Sequence, residues 1–303
     1  MDLRQLRYFV RVVECGNITR ASEGLHIAQP AISQQIRNLE EEMSMKLLER
    51  SVHGVEPTAA GRTLYRHAIE LLRQADATRE LLLQDAEYPQ GRVSVGMPSS
   101  TARMLAMPLA RMIRSKFPGI KLELFDAPSA DIEGLITTGR VAMAVMVDAV
   151  ETRGIATQHL LTERLYLMSW PELQLPDTPI SIEALSRLPL VLPCAPNGIR
   201  SRVEFALQEA GQACQVEFEV NSTDMLLLAV KNELGVTVLP WAAAQDNLEP
   251  GRITLREIDH RLFVRELSLC WHEAGVQSNA VDKVRQTIVS LFAGFKETGG
   301  WSV

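Results

Sequence analysis

The sequence has no long apolar run that could cross a membrane. Charged residues break even the segment LLRQADATRELLLQ, so no stretch approaches the roughly 18 apolar residues that a spanning helix needs. The N-terminal segment MDLRQLRYFVRVVE alternates charged and apolar residues and lacks the apolar core of a signal peptide. We therefore expect a cytoplasmic protein that has no membrane partner.

Paired cysteines and an excess of basic residues are also missing. The cysteines form neither a CxxC pair nor a Cys/His cluster with zinc spacing, and in a reducing compartment we expect free thiols at Cys15, Cys194, Cys214 and Cys270. The net charge of −6 argues against a protein that coats nucleic acid without sequence preference. It is compatible with a small DNA-reading module attached to an acidic remainder, so charge must be assessed locally.

The sequence lacks a recognisable set of catalytic residues. Its histidines are scattered, no serine lies in a G-x-S-x-G turn, and no glycine-rich phosphate loop follows a strand. We therefore predict that the chain is not an enzyme and has no cofactor and no metal site. With 303 residues, 46% of them hydrophobic and 22% charged, it has the composition of an ordinary globular protein with two or more domains.

The first residues predict two short helices separated by a glycine. Residues 2–15 form the first predicted helix, Gly16 ends it, and Asn17 or Thr19 caps the next helix, TRASEGL. The apolar stripe of the first helix consists of Leu3, Leu6, Phe9, Val10 and Val13.

A third helix and a small hairpin follow. Pro30 lies in the first turn of this helix, where its missing N–H costs nothing. Two strand-like pieces then flank Val52-His53-Gly54, which indicates a hairpin. The order of these elements predicts a winged helix-turn-helix over residues 1–58.

The third helix, in the segment IAQPAISQQIRNLEEEM, carries many hydrogen-bonding side chains and few simple charges. Amides can bond adenine edges in the major groove, arginine can bond guanine or phosphate, and serine can bond either. Gln29, Ser33 and Arg37 lie four residues apart on one helical face, and Gln34 and Asn38 form a neighbouring row. A solvated helix face would look the same in isolation, but the surrounding elements favour DNA reading. The apolar residues at helical spacing are Ala31, Ile32, Ile36, Leu39 and Met43, and the first four form the stripe that would pin this helix.

Phosphate contacts require less precise geometry than base contacts. The candidates are Thr19, Arg20, Arg50, Thr58 and Arg62. Three glutamates, residues 40–42, end the third helix and are expected to face away from DNA. His53, at the hairpin tip, is expected to be an exposed loop residue and not a base reader.

A long helix is predicted from Thr58 to about Glu87, and EYPQG (residues 87–91) marks the domain boundary after it. A seam with alternating spacings of four and three favours dimer contact, as in a coiled coil. The alternative is a helix that packs only on its own domain. The seam consists of Leu64, Ala68, Leu71, Ala75, Thr78 and Leu82.

From Arg92 onwards, strands and helices alternate. RVSVGM, IKLELFDA and VAMAVMV read as strands separated by two helices, which implies a parallel sheet. A similar cycle recurs from PLVLPC to VTVLP, and two such halves suggest two α/β lobes with a ligand cleft between them. LSLCWH and a final helix over residues 277–296 are expected to return to the first lobe.

The N-terminal segment resembles the DNA-binding domain of LysR-type transcriptional regulators. The matching features are the pair Tyr8-Phe9, the core LHIAQPAISQQIRNLE, the LLER lead into the wing, and PTAAG before the linker helix. DIEGLITTGRVAMAVM and ELGVTVLP resemble the effector domain of the same family, so the resemblance covers essentially the whole chain. LHIAQPAISQQ and HGVEPTAAGRTLYRHAIELLRQ are most similar to its nitrogen assimilation control subgroup.

This resemblance implies a winged helix-turn-helix at residues 1–58, a dimerising linker helix at 59–88, and an effector domain like periplasmic binding proteins at 92–303. The expected lobes are 92–161 with 267–303, and 162–266. Such regulators bind promoter DNA as dimers of dimers and activate or repress transcription when an inducer changes how the tetramer bends DNA. RNA polymerase is a further candidate partner.

Residues carried over from the resemblance define two sites. The family often has a basic residue where Gln34 stands, which leaves open the base read there. The DNA-reading residues are Gln29, Pro30, Ala31, Ser33, Gln34 and Arg37. The effector cleft takes Ser99, Ser100, Thr101, Ser129, Val147, Asp148, Asn197, Gly198, Ile199, Arg200, Asn221, Ser222 and Thr223.

The physics of the second site favours a small anionic or polar ligand. Ser99–Thr101 and Asn221–Thr223 open helices whose free N–H groups and dipoles attract anions, although plain N-capping would use the same residues. Arg200 could pair with a ligand carboxylate or be a solvated helix residue.

Three alternatives stay open at this point. Members of the nitrogen assimilation control subgroup can act without a small inducer, with their abundance as the signal. Redox-sensing members place a reactive cysteine near PNGIR, a position that Cys194 and Cys214 match poorly. An α/β solute-binding or enzymatic protein with an accessory helical domain would need a catalytic set that the sequence does not show.

Overall fold

The computed structural model describes residues 1–51, 54–82, 89–175, 178–245, 252–273, 278–298 and 301. The chain separates into two compact units, of which the first contains Met1–Ala86 and the second contains most of the remaining residues. Among the helices in these ranges, none is long and apolar enough to cross a membrane.

The first unit begins with three helices whose ends follow from their sequences. They are α1 (Leu3–Cys15), α2 (Ile18–Leu25) and α3 (Gln29–Met43). Asp2 and Gln5 form a capping box at the start of α1, and Gly16 ends it with a left-handed φ of 59°. Asn17, and not Thr19, caps α2, because its side chain accepts the N–H groups of Thr19 and Arg20.

The core of this unit differs in part from the predicted stripes. Leu6, Phe9 and Val12 are buried, whereas the predicted Leu3 is 45% exposed. The same holds on α3, where Ala31 is exposed although it was predicted to help pin the helix. A stripe slightly over 100° wide leaves the residues at its edges undecided until the neighbouring helices are placed.

A hairpin and a long helix complete the first unit. Strands β1 (Leu48–Ser51) and β2 (Gly54–Pro57) pair antiparallel, which confirms the predicted hairpin. The predicted tip residues Val52 and His53 lie outside the described residues. Thr58 caps α4 (Ala59–Leu82) by accepting the N–H of Gly61 at 3.0 Å.

The predicted seam of α4 has mixed exposure. Ala68 is buried and Leu71 is 40% exposed, while the side chain of Leu82 lies outside the described part of the chain. The predicted end of this helix near Glu87, and the boundary that follows it, also fall largely on residues that are not described.

The second unit opens with the predicted parallel sheet. Its elements are β3 (Gly91–Pro98), α5 (Ser99–Lys116), β4 (Ile120–Ala127), α6 (Ser129–Thr137) and β5 (Met143–Val147). Strand β3 pairs in parallel with both β4 and β5. These strands, with the elements packed on them, form lobe I.

The second α/β cycle forms lobe II. Its elements are α7 (Ile182–Leu185), β7 (Leu190–Leu192), α8 (Gly198–Glu209), β8 (Val216–Glu219), α9 (Thr223–Lys231), β9 (Thr237–Pro240), α10 (Trp241–Ala244) and β10 (Thr254–Glu257). Strand β7 pairs in parallel with β8 and is joined in parallel to Val236, just before β9. The predicted cycle is therefore confirmed.

Two long strands connect the lobes. Strand β6 (Ile155–Ser169), which the sequence analysis missed, pairs with β11 (Val264–His272) through Arg164 and with β9 from Leu165 onwards. Strand β11 also pairs with β5, so the chain returns to lobe I as predicted. The final helix α11 (Asn279–Glu297) packs on the lobe I core, where Phe292 and Trp301 are almost fully buried.

Candidate nucleic-acid interface and ligand cleft

Helix α3 presents a polar face to solvent. Gln29, Pro30, Ala31, Gln34 and Arg37 are all exposed, while Ile32, Ile36 and Leu39 hold the opposite face in the core. Ala31 therefore does not pack in the core, and its exposure places it on the same surface as the predicted base readers.

The side chains on this face are ordered by bonds to one another. Arg37 Nη2 donates to Gln34 Oε1 at 2.6 Å, and Gln34 Nε2 donates to Asn38 Oδ1 at 2.8 Å. The donors and acceptors that would meet base edges therefore lie in two neighbouring rows of the helix, and the Arg37–Gln34 bond links the rows.

Ser33 differs from its predicted neighbours. It is only 6% exposed, and its hydroxyl accepts from Gln29 Nε2 at 3.2 Å. The predicted i, i+4 alignment with Gln29 is present, and Ser33 lies at the buried edge of that face. Its position on α3 favours a role in orienting the Gln29 amide.

The predicted phosphate contacts have mixed surroundings. Thr19 and Arg20 are exposed at the start of α2. Arg62 is exposed and donates from Nη1 to the carbonyl of Pro57 at 2.7 Å, while Thr58 donates to the carbonyl of Lys46 at 2.8 Å. The side chain of Arg50 lies outside the described residues.

Glu40 has a structural role that the sequence analysis missed. Its carboxylate accepts the N–H groups of Leu47 at 2.9 Å and Leu48 at 3.2 Å, and Lys46 Nζ lies 3.0 Å away. Glu40 is largely buried, whereas the sequence predicted only that it faces away from DNA. It ties the C-terminal end of α3 to the start of the wing.

A narrow cleft lies between the two lobes of the second unit. Most of the predicted effector residues line it, together with apolar side chains and Arg265. The predicted residues in its wall are Ser99, Ser100, Ser129, Asn197, Ile199, Asn221, Ser222 and Thr223.

The cleft is polar but small. The first residues of α5, α6 and α9 all line it, so three helix N-termini with free N–H groups face one space. Its cavity volume is about 50 Å³. That space suits water or an oxyanion head group, whereas small-molecule pockets are generally about 300 Å³ or more.

Five predicted effector residues do not line this cavity. Thr101 is fully buried in α5, Val147 ends β5 away from the wall residues in sequence, and Gly198 lies between the wall residues Asn197 and Ile199 without forming part of the wall. Arg200 is paired with Glu204 and Glu219, each at 2.7 Å, and is therefore engaged within its own lobe. These carboxylates raise the pKa of Arg200 further, so it stays charged.

Asp148 is also diverted from the cavity. Its carboxylate pairs with Arg202 of α8 and accepts the N–H of Glu266 at 3.0 Å. The sequence signal was correct in placing Asp148 at the carboxyl end of β5, but the side chain is used for a contact between lobes.

A buried charge on the cavity wall was not predicted. Arg265 is 3% exposed and bonds to Glu163, whose carboxylate also accepts the indole N–H of Trp301 at 2.8 Å. Arg265 Nη2 donates to Ser100 Oγ at 2.9 Å, so the hydroxyl hydrogen of Ser100 is free to donate elsewhere. The only sign of Arg265 in the sequence was the alternation of inward-facing and outward-facing residues in RELSLCWH, which places this arginine on the inward face of a strand.

Comparison with known proteins decides the family. Residues 3–62 match the model for the bacterial regulatory helix-turn-helix protein, lysR family, and residues 86–293 match the LysR substrate binding domain. The chain belongs to the LysR family. Its relatives are transcriptional regulators and not enzymes, as the lack of a catalytic set predicted.

Two curated relatives of this LysR-type regulator carry the same name. The nitrogen assimilation regulatory protein nac of Klebsiella aerogenes is 33% identical over 96% of this chain and 95% of its own length. The nitrogen assimilation regulatory protein nac of Escherichia coli (strain K12) is 35% identical over 81% of this chain and 80% of its own length.

Solved structures of full-length LysR-type regulators share the fold. A full-length OxyR variant from Pseudomonas aeruginosa has a TM-score of 0.76 at 22% identity and covers 96% of this chain and 97% of its own. Full-length CbnR complexed with its target DNA has a TM-score of 0.66 at 21% identity, with coverage of 96% and 100%. The chain is therefore a LysR-type transcriptional regulator with a helix-turn-helix domain and an effector-binding domain.

Proposed function

We propose that this regulator binds promoter DNA as a dimer or tetramer, reading bases with the exposed face of α3. The observation that carries the proposal is the hydrogen-bonded set of Arg37, Gln34 and Asn38 on a helix whose other face is fixed in the core. Arg20 and Arg62 are the proposed phosphate contacts. Such a protein acts where the chromosome is, so the proposed location is the cytoplasm.

Oligomerisation follows from the balance of charge. Residues 1–58 carry nearly balanced charge, which gives one DNA-binding domain little general attraction for DNA, so two recognition helices on one inverted repeat are needed for tight binding. The proposed contact between chains is the α4 helix, whose Leu71 is exposed.

A double substitution on α3 tests the reading face. We expect Gln34→Ala with Arg37→Ala to weaken binding to the preferred sites at least about 30-fold, because each lost base contact costs about 1–3 kcal/mol. The sites are first located by genome-wide mapping of bound DNA and then measured by footprinting. Arg114→Ala, on the exposed surface of α5, removes a positive charge from the other unit and is the matched control. If the double variant protects the promoter DNA as well as the wild type does, the assignment of this face of α3 as the base-reading surface is refuted.

We also propose that a small polar or anionic molecule in the cleft controls DNA binding. The three helix N-termini and the Ser100 hydroxyl beside Arg265 form a set of donors that suits a carboxylate or another oxyanion. Thermal shift against carboxylates and amino acids tests this, since a ligand that binds only the folded state raises its stability. Ser100→Ala is expected to reduce the shift.

Control by abundance is the second candidate. The cavity of about 50 Å³ favours it, because that volume is below the usual size of a metabolite pocket. The two nac relatives further support nitrogen assimilation genes as targets. Absence of a thermal shift with every compound, together with unaltered promoter binding, would favour this candidate.

A further inference from the structure

Two ion pairs join the lobes of the effector-binding domain. Arg103 of α5 in lobe I pairs with Asp224 of α9 in lobe II, and Arg202 of α8 in lobe II pairs with Asp148 at the end of β5 in lobe I. Each lobe therefore contributes one cation and one anion. The pairs use four different elements, so they hold the lobes together at two separate places.

The Arg202–Asp148 pair is built from side chains that are held in position by other bonds. Asp148 Oδ1 accepts the N–H of Glu266 at 3.0 Å, and Arg202 Nη1 donates to the carbonyl of Leu262 at 2.9 Å. Asp148 also adopts a left-handed φ of 48°, a conformation that aspartate and asparagine tolerate better than most residues. Because both groups are already oriented, little side-chain entropy is lost when they pair.

The Arg103–Asp224 pair flanks the cleft. A recess of about 300 Å³ surrounds it and shares Ser99, Ser222 and Thr223 with the wall of the cavity. Asp224 also lies in the first turn of α9, where an acidic residue is favoured by the helix dipole.

The small size of the cavity links the two ion pairs to the entry of a ligand. At about 50 Å³ the cavity admits water or a small oxyanion, so a larger ligand that is fully enclosed by the cavity walls requires α5 and α6 to move apart from α8 and α9. Arg103 and Asp148 belong to one lobe and their partners to the other, so such a separation lengthens both ion pairs.

We propose that these two pairs form an ionic latch, defined as Arg103–Asp224 and Arg202–Asp148, that holds the lobes together over the cleft and sets how often it opens. This extends the proposed control by a cleft ligand, because the latch opposes entry of any molecule larger than the cavity. The side chains of Arg202 and Arg103 are 23% and 24% exposed, and their partners more so, which makes the latch sensitive to salt.

Isosteric variants test the latch in the full-length protein without DNA or added ligand. Asp148→Asn and Asp224→Asn remove the charges but keep an acceptor oxygen, and asparagine tolerates the left-handed conformation at position 148. Glu123→Gln, which removes the Arg92–Glu123 pair within lobe I, is the matched control.

Hydroxyl-radical footprinting measures the opening directly. Leu226 and Leu239 line the cleft and are each 2% exposed, whereas Leu234 is 58% exposed and reports the radical dose. We expect modification of Leu226 and Leu239, relative to Leu234, to rise about two- to fivefold in each single variant and by about the product of the two factors in the double variant. Raising NaCl from 0.1 M to 1 M shortens the Debye length from about 10 Å to 3 Å. This change should increase the relative modification of Leu226 and Leu239 in the wild type and in Glu123→Gln, but not in the double variant.

Two results would overturn the latch. The first is unchanged modification of Leu226 and Leu239 in the double variant. The second is an equal rise at Leu190, which is fully buried in the lobe II core and does not line the cleft, because that would mean general loosening of lobe II. Both readouts are independent of promoter binding and of ligand binding, so a failure of the proposed function would leave this test decisive.

Discussion

Glu40 connects the recognition helix to the wing through one carboxylate. Burial of this group works to raise its pKa, but hydrogen bonds from the backbone N–H of Leu47, from the Lys46 ammonium and from the N–H of Leu48 outweigh burial and lower the pKa of Glu40 below its usual value. A carboxyl with a depressed folded-state pKa stabilises the fold above its unfolded pKa. That stability is lost as the pH falls through the folded pKa, so the wing should loosen only in acid.

Glu40→Gln keeps the shape of this side chain and removes its charge. We expect the free energy of unfolding to fall by about 1–2 kcal/mol, because hydrogen bonds to charged groups contribute more stability than hydrogen bonds between neutral groups. Amide hydrogen exchange at Leu47 and Leu48 should accelerate by about tenfold for each 1.4 kcal/mol lost. Glu41→Gln, one residue along and exposed, should leave both amides unchanged. Equal effects of the two substitutions would contradict the assignment.

At the scale of single residues, the sequence predicted which chemical groups lie in each element better than it predicted the partners toward which their side chains turn. Ser33, Asp148 and Arg200 all lie in the predicted elements, but their side chains are turned toward partners that are distant in the chain or in an adjacent turn. The sequence marks Arg265 only as an inward-facing arginine on a strand and does not reveal its role, because that role depends on Glu163, which is 102 residues away in the sequence. Residue identity limits which bonds a side chain can form, while tertiary packing decides which of them it does form.

Among the elements, α4 packs closely on the wing through a glycine. A Cβ added at Gly61 would lie 2.0 Å from the carbonyl oxygen of Leu47, a backbone atom that cannot move aside cheaply. The glycine of the PTAAG motif therefore fixes how near the first turn of the linker helix lies to β1. We infer that the motif reflects packing more than helix propensity.

Gly61→Ala is expected to destabilise the DNA-binding domain by about 1–3 kcal/mol through overpacking. Gly294→Ala is the matched control, since it makes the same change inside α11, where an added Cβ meets nothing within 4 Å. It should stabilise by about 0.5–1 kcal/mol, because alanine is the better helix former. Urea unfolding followed by circular dichroism measures both changes, and effects of the same sign would contradict the packing argument.

The predicted elements largely agree with those of the structure, because helical and strand periodicities are local. The clearest omission is β6, which runs for 15 residues as Ile155–Ser169. Its first part pairs with β11 and its last part with β9, so it combines two burial patterns and shows no single alternation. A strand shared between lobes is a tertiary property that periodicity does not encode.

For the molecule as a whole, the salt dependence of DNA affinity distinguishes phosphate contacts from base contacts. Binding that releases counterions weakens with salt in proportion to the number of phosphates contacted. We expect Arg62→Ala to reduce the slope of log K against log salt by about one per bound subunit, whereas Gln34→Ala should lower affinity without changing the slope. Fluorescence anisotropy on one promoter fragment from about 50 to 200 mM salt measures both. A reduced slope for Gln34→Ala would reassign that residue to the backbone.

The arrangement of strands in the effector-binding domain has a consequence for its biosynthesis. Lobe I combines β3, β4 and β5 with β11 and α11, which are synthesised only after all of lobe II. While lobe II emerges from the ribosome, the first three strands of lobe I have no partner for the exposed edge of β5. Lobe II can complete its own core before then, so we expect the nascent chain to pass through a stage in which the later-encoded lobe is folded and the earlier one is still open to chaperones.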